Sequence, residues 1–387
     1  MPADPHDISY FAETDFRARH IPFGIRQADR LLHMYIIGQT GVGKSRLIET
    51  LVRQDIAAGR GFALVDPHGD LAERVWEGCA ESARDRITYL DAPSPRQPYG
   101  YNPLRRTRDD RIPLAAAGLL ETMRKLWPNA WGVRMEHVLR NSLYALLERH
   151  DSDLSDILQL YNDKKFRKRV AREVRNDVVR EFWKVEFENY PARLRAEAVA
   201  PIQNKLGALL SDPTLRRIFL APASDIRFRP LMDEGRGLLV NLSRGELGED
   251  ASQILGGFIV STIAMAAFSR ANVSESQRRP FFLYVDEFQS FTTLAFVNMM
   301  AELRKYGVGL VLAHQHLHQL EPDIRHAVLG NAATLIVFRL GADDALHVGA
   351  ELRPTFSAQD LMSLPNRHAC LRMMIDQSPS KPFSART

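Results

Sequence analysis

Apolar positions along the chain fall into short unbroken runs separated by segments with a three-to-four-residue apolar spacing. That is the pattern of strands buried on both faces alternating with amphipathic helices. Residues 31–38 (Leu-Leu-His-Met-Tyr-Ile-Ile-Gly) read as a buried strand ending in a glycine-rich turn, and a helical period follows from Lys44 to Ala58. The strand pattern recurs at 62–66 and 87–91 around a helix expected over 70–79, and such alternation implies parallel pairing. Pro93, Pro95, Pro98 and Pro103 then interrupt both periods, and strand signals vanish until residue 237. In between, Met135, Val138, Leu139, Leu143 and Leu146 share one helical face, and similar spacing continues to Leu209. Strands resume over 237–242, 281–286, 308–313, 334–339 and 368–375. The expected fold is α/β, a mostly parallel central sheet with an all-α insertion, divided into 1–103, 104–235 and 236–387.

Composition narrows the class without naming a function. At 387 residues, 45 % hydrophobic and 25 % charged, the chain excludes disordered, collagenous and low-complexity classes. Cys79 and Cys370 stand far apart without Cys-x-x-Cys spacing, which argues against a disulfide framework or a zinc site and fits a reducing, cytoplasmic setting. The apolar run 254–268 is shorter than the ~20 residues a bilayer requires, so it reads as a core helix. The acidic opening lacks an apolar segment, so neither a signal peptide nor an intrinsic membrane segment is expected. Formal charge is +4, but residues 104–234 hold 25 Lys/Arg against 19 Asp/Glu, so the basic excess sits mid-chain. Its densest stretch, 164–169 followed by Arg172, Arg175 and Arg180, reads equally as a solvated helix face or as a nucleic-acid-facing patch.

Chemistry enters at Gly38-Gln-Thr-Gly-Val-Gly-Lys-Ser45, which satisfies Gly-x-x-x-x-Gly-Lys-[Ser/Thr] between an expected strand and an expected helix. A loop of this composition wraps a phosphate with its backbone N–H groups and the helix N-terminus. Gly38, Gln39, Thr40, Gly41, Val42, Gly43, Lys44, Ser45 and Arg46 are thus the nucleotide-binding candidates, Lys44 as a point charge and Ser45 as a ligand to Mg²⁺. A dinucleotide fold would use Asp66 on a ribose, but Lys44, Ser45 and Arg46 follow Gly43, so the third glycine of that fingerprint is missing. Farther along, an apolar run ends in Asp286-Glu287. Neighbouring strand side chains point opposite ways, which assigns Asp286 to the metal and Glu287 to the attacking water. Gln315, at the end of strand 308–313, can sense the γ-phosphate, while Arg304 is either a helix-end surface cation or a finger reaching a neighbouring subunit. His314, His316 and His318 alternate, but no matching carboxylate or cysteine spacing accompanies them, so packing is the expected role. Carboxylates of Asp66-Pro-His-Gly-Asp70 are expected at the rim of the site.

These residues resemble the HerA/FtsK superfamily of RecA-like P-loop ATPases, and within it the TraG/TraD-like coupling proteins of conjugative type IV secretion. The resemblance rests on 37–45, on Val65-Asp-Pro-His-Gly-Asp70, on Tyr284-Val-Asp-Glu-Phe-Gln289, on 304–315 and on Phe338-Arg-Leu-Gly-Ala-Asp-Asp344, together with the helical insertion. It implies a RecA-like domain with the Walker A loop in 1–103 and the Walker B acids and arginine finger in 236–387. It further implies ATP and Mg²⁺ as cofactors, a homo-hexameric ring passing DNA of unresolved strandedness through its centre, and catalytic roles for Lys44, Glu287, Arg304 and Gln315. Arg304 would act in trans and Gln315 would couple nucleotide state to movement. Membrane-bound coupling proteins begin with transmembrane helices and this sequence shows none, a departure that a separate membrane anchor or secretion-channel partner, a soluble relative or a shortened chain would each explain. The expected location is the bacterial cytoplasm, or peripheral at the inner membrane through a partner. The competing functions are a secretion or assembly ATPase acting on protein cargo and a HerA-like DNA-processing helicase.

Overall fold

The structure, a computed structural model, describes residues 6–15, 20–127, 131–220, 224–291, 293–376 and 378–387. The chain divides into two compact units, one of Met1–Asp91, Phe228–Ser243 and Ala266–Thr387, the other of Ala92–Arg227 and Arg244–Met265. These bounds differ from the three-segment expectation. The helical unit starts at the proline-rich stretch rather than at 104, and it takes up a later segment beyond 235 as well.

The first unit is built on one sheet. Its strands are β1 (Ile8–Thr14), β2 (Pro22–Arg26), β3 (Met34–Ile37), β4 (Gly61–Asp66), β5 (Ile87–Asp91), β6 (Gly237–Asn241), β7 (Phe281–Val285), β8 (Val308–His314), β9 (Thr334–Val337), β10 (His368–Arg372) and β11 (Phe383–Arg386). They lie in the order β2-β1-β11-β10-β9-β3-β8-β7-β4-β6-β5. The seven strands from β9 to β5 pair in parallel. Every residue of β3, β4, β6, β7, β8 and β9 is buried, which is why they appear in the sequence as unbroken apolar runs. On one face, Leu47, Ile48, Leu51 and Val52 of helix α1 (Lys44–Ala57) and Leu71, Ala72 and Val75 of α2 (Asp70–Glu77) pack on Ile36, Leu64, Tyr284 and Ala313. Each such aliphatic side chain contributes roughly 1.5–3 kcal/mol on burial.

The remaining four strands form an antiparallel edge. The hydrophobic pattern did not forecast β1, β2 and β11, because their burial is partial and alternating and their pairing joins the two chain ends. The run expected as one strand over 368–375 breaks after Arg372. Met374–Ile375 pairs instead with Ser378–Pro379.

Among its described residues the second unit is helical apart from a two-residue parallel pair, Tyr99–Gly100 with Ser224–Asp225. Its core includes Val138, Leu139, Leu143 and Leu146 on the predicted face of helix Val133–Leu147, and a cluster of Tyr161, Phe182, Trp183 and Phe187. Asp163 caps the basic helix Lys164–Glu173 by accepting from the backbone N–H groups of Lys165 and Phe166. Within it Arg167 is buried and donates to Glu188 and to the Leu160 carbonyl, whereas Lys165, Lys168, Arg169 and Arg172 are exposed. By length and composition Glu249–Asn272 meets the size of a bilayer-crossing helix, longer than the apolar run alone because its polar ends are helical too; 78 % of its most apolar window is buried.

Candidate active site

Parallel strands deliver their carboxyl ends to one edge of a sheet, and here four neighbours do so in the order β3, β8, β7, β4. The loop after β3 turns through Gly41 (φ 78°) and Gly43 (φ 125°), left-handed positions that a β-carbon disfavours. Gly38 answers a different need, since a β-carbon there would come within 2.6 Å of Phe338 Cβ. Helix α1 begins at Lys44, so its free N–H groups and the loop face the same space. Lys44 Nζ donates to the carbonyls of Gly38 (2.6 Å) and Gln39 (3.0 Å). Burial holds the Lys44 ammonium below the usual lysine range, opposed by the nearby charges of Glu287 and Asp286.

The acids follow β7. Ser45 Oγ donates to Asp286 Oδ2 (3.3 Å), which brings two hard oxygen donors from loop and strand to one point. Burial, then the charges of Asp66 and Glu287, push the Asp286 carboxyl up to about 6. This oxygen set suits Mg²⁺. Glu287 departs from the expectation of strand alternation, because β7 stops at Val285 and Glu287 stands in the left-handed region (φ 48°). The turn, rather than the pleat, separates the two carboxylates. One Glu287 oxygen accepts from Gln315 Nε2 and the other from Gln289 Nε2 (2.6 Å), while Gln315 Oε1 accepts from Thr40 Oγ1 (2.8 Å). A single chain of hydrogen bonds therefore runs from the phosphate loop through Gln315 to Glu287.

Thr40, Gly41, Gly43, Lys44, Ser45 and Arg46 line a cavity of about 880 Å³ together with Asp286, Glu287 and Gln315. Gly38, Gln39 and Val42 do not line it. Gly38 packs on Phe338, Gln39 bonds Arg339 through its backbone and side chain, and Val42 is buried in the core. Asp66 accepts from the N–H groups of His68, Leu71 and Ala72, so its main structural work is to cap α2, and His68 is the part of that segment that lines the cavity. Asn366, Arg367 and Thr387 also line it. No sequence motif marks these three. They arrive because Arg367 N–H donates to the Val42 carbonyl (2.8 Å) and Thr387 N–H to the Arg367 carbonyl (2.8 Å). Arg304 is absent from the cavity. It is exposed at the amino end of β8, and seven residues at about 3.3 Å each separate it from the carboxyl edge by roughly 23 Å.

The family model of the HerA helicase central domain matches residues 18–263, and that of the TraM recognition site of TraD and TraG matches 280–365. No curated protein sequence matches the chain. Among solved structures, the unbound bacterial conjugative coupling protein TrwBΔN70 is similar with a TM-score of 0.68 at 16 % identity, over 92 % of this chain and 86 % of that one. TrwB in complex with ADP and Mg²⁺ is similar at 0.64 and 16 % identity, over 93 % and 86 %. VirB4 of Thermoanaerobacter pseudethanolicus gives 0.66 at 14 % identity, over 100 % and 97 %. At these identities the structural likeness speaks for the fold, and the family assignment rests on the sequence model that spans well over half of the residues. The chain belongs to the HerA helicase central-domain family and is a RecA-like P-loop ATPase of the HerA/FtsK superfamily.

Proposed function

We propose that this ATPase is a DNA-moving motor of the kind that serves conjugative type IV secretion, working as a ring in which each active site lies between two subunits. The observation that carries the reading is the separation of two sets of residues. Lys44, Ser45, Asp286, Glu287 and Gln315 meet at one cavity, while Arg304 stands at the opposite edge of the same sheet, too far away to serve that cavity, which supports a role for it at a neighbour's nucleotide. The coupling-protein likeness and the exposed Lys165, Lys168, Arg169 and Arg172 support DNA as the cargo, held by backbone charge rather than by base readout.

ATP is the nucleotide in this reading. Ser45 and Asp286 would hold Mg²⁺, which would supply charge neutralisation to the triphosphate when bound. Lys44 leaves its loop carbonyls for the phosphate oxygens. Glu287 orients water for attack on the γ-phosphate once one of its amide partners lets go, and Gln315, bonded to both Thr40 and Glu287, carries the signal that a phosphate has arrived. Catalysis is positioning and electrostatics, with no covalent intermediate on the chain.

The test is ATP turnover with and without DNA across a salt series. DNA should raise turnover, the stimulation should fall steeply with salt, and Lys44→Ala should abolish turnover with and without DNA. Turnover by the wild type that ignores DNA at low salt removes DNA as cargo and leaves a protein-moving ATPase.

A further inference from the structure

His316 is the extended residue (φ −140°, ψ 121°) just before the 3-10 turn Leu317–Gln319 that carries His318, and this turn buries Leu317 while bringing the two imidazoles side by side. Opposite them is Asp344, in the first turn of helix Ala342–Gly349 and only 5 % exposed. Its Oδ1 accepts from Leu317 N–H (3.0 Å), which fixes the carboxylate, and its Oδ2 lies 3.2 Å from His316 Nδ1. The rings of His316 and His318 stack with centroids 5.4 Å apart. One ligand atom from each of the three side chains lies within 4.8 Å of the other two.

We infer that His316, His318 and Asp344 form a binding site for a zinc-class divalent ion. A His-Asp ion pair accounts for His316 alone, but it does not account for a second imidazole beside the same buried carboxylate. Two imidazoles and one carboxylate are the donors that first-row transition ions take, whereas Mg²⁺ prefers all-oxygen shells. Bonds of about 2.0–2.2 Å in a tetrahedral site place ligand atoms roughly 3.3 Å apart. His316 and Asp344 already meet that spacing, and the exposed His318 completes it by rotating its side chain. The Leu317 N–H bond to Asp344 is the outer support that orients a ligand. The fourth position is open to water. The ion would pin the segment that leaves Gln315 to the start of helix Ala342–Gly349. The sequence offered only the alternating histidines, because Asp344 lies 28 residues from His316 and is brought there by tertiary packing. This inference stands apart from the choice of cargo.

Chelator-stripped full-length protein, in excess Mg²⁺ to occupy oxygen sites, is titrated with Co²⁺ and followed by visible d–d absorption, then back-titrated with Zn²⁺. One Co²⁺ per chain should bind, Zn²⁺ should displace it, and Zn²⁺ should raise the unfolding temperature of the wild type. His318→Ala, at an exposed position, and Asp344→Asn, which keeps an oxygen for Leu317 N–H, should each weaken binding by at least about 10–100-fold and lose the thermal shift. Absence of saturable absorption in the wild type, or absorption and thermal shift that survive both substitutions, overturns the site.

Discussion

His33 occupies a left-handed backbone position (φ 69°) just before β3, a conformation uncommon outside glycine and asparagine. Both ring nitrogens are engaged: Nδ1 accepts from Leu310 N–H (3.1 Å), so the proton sits on Nε2 and is donated to the Met300 carbonyl (2.9 Å). Burial pushes this imidazole down to about 4, and the Arg304 charge adds to the effect. A base with a depressed native pKa contributes stability above its ordinary value of 6.5 and loses it as pH falls toward 4, in total about 3 kcal/mol. Urea unfolding between pH 7 and 4.5 should therefore show wild-type stability falling more steeply than that of His33→Gln. His314, pushed down to about 3 by burial, titrates alike in both proteins. Parallel pH profiles would rule the role out.

Among elements, the helix that carries the phosphate loop is held from behind by a buried ion pair. Arg30, in the turn before β3, donates to both oxygens of Asp55 on α1 (2.8 and 2.9 Å), and Tyr284 of β7 bonds to both residues. The guanidinium also lies 3.7 Å from the Phe282 ring centre. Arg30 and Asp55 are fully buried. Such a pair brings little net stability against an apolar substitute, but breaking it strands a charge in the core. Asp55→Ala should cost about 3–5 kcal/mol in denaturant unfolding. A loss under about 1 kcal/mol would show that Arg30 finds other partners or water. The joint ties the strand that starts the loop, the helix that follows it and the strand that carries Asp286 into one rigid support for the site.

At the scale of the molecule, the proposed finger role of Arg304 requires a second copy, because in its own chain Arg304 lies at the edge of the sheet opposite the cavity. In the proposed ring a head-to-tail contact would bring the amino edge of one sheet toward the carboxyl edge of the next, and such contacts close when the rotation closes. Arg304→Ala should retain ATP binding and lose DNA-stimulated turnover by on the order of 10³–10⁵. Glu287→Gln should likewise bind and not turn over. Mixed one to one, the two inactive proteins should regain activity at on the order of a quarter of the sites, those pairing an intact Glu287 with a neighbour's intact Arg304. A mixture as silent as either component would falsify the trans arrangement.

Local chemistry was readable without coordinates. The phosphate loop announces itself because glycine, lysine and serine must stand within eight residues to wrap an anion, and the acids because a buried apolar run ending in Asp286-Glu287 marks a strand's exit. The parallel order followed from alternating strand and helix periods, each a property of neighbours in sequence. Tertiary structure decided the rest: the antiparallel edge that joins Ile8–Thr14 to Phe383–Arg386, the left-handed turn at Glu287, the arrival of Arg367 at the loop, and Asp344 beside two histidines. In each case the partners are distant along the chain or the backbone angle is set by the surrounding pack, and hydrophobic periodicity records only whether a residue is buried, not against what.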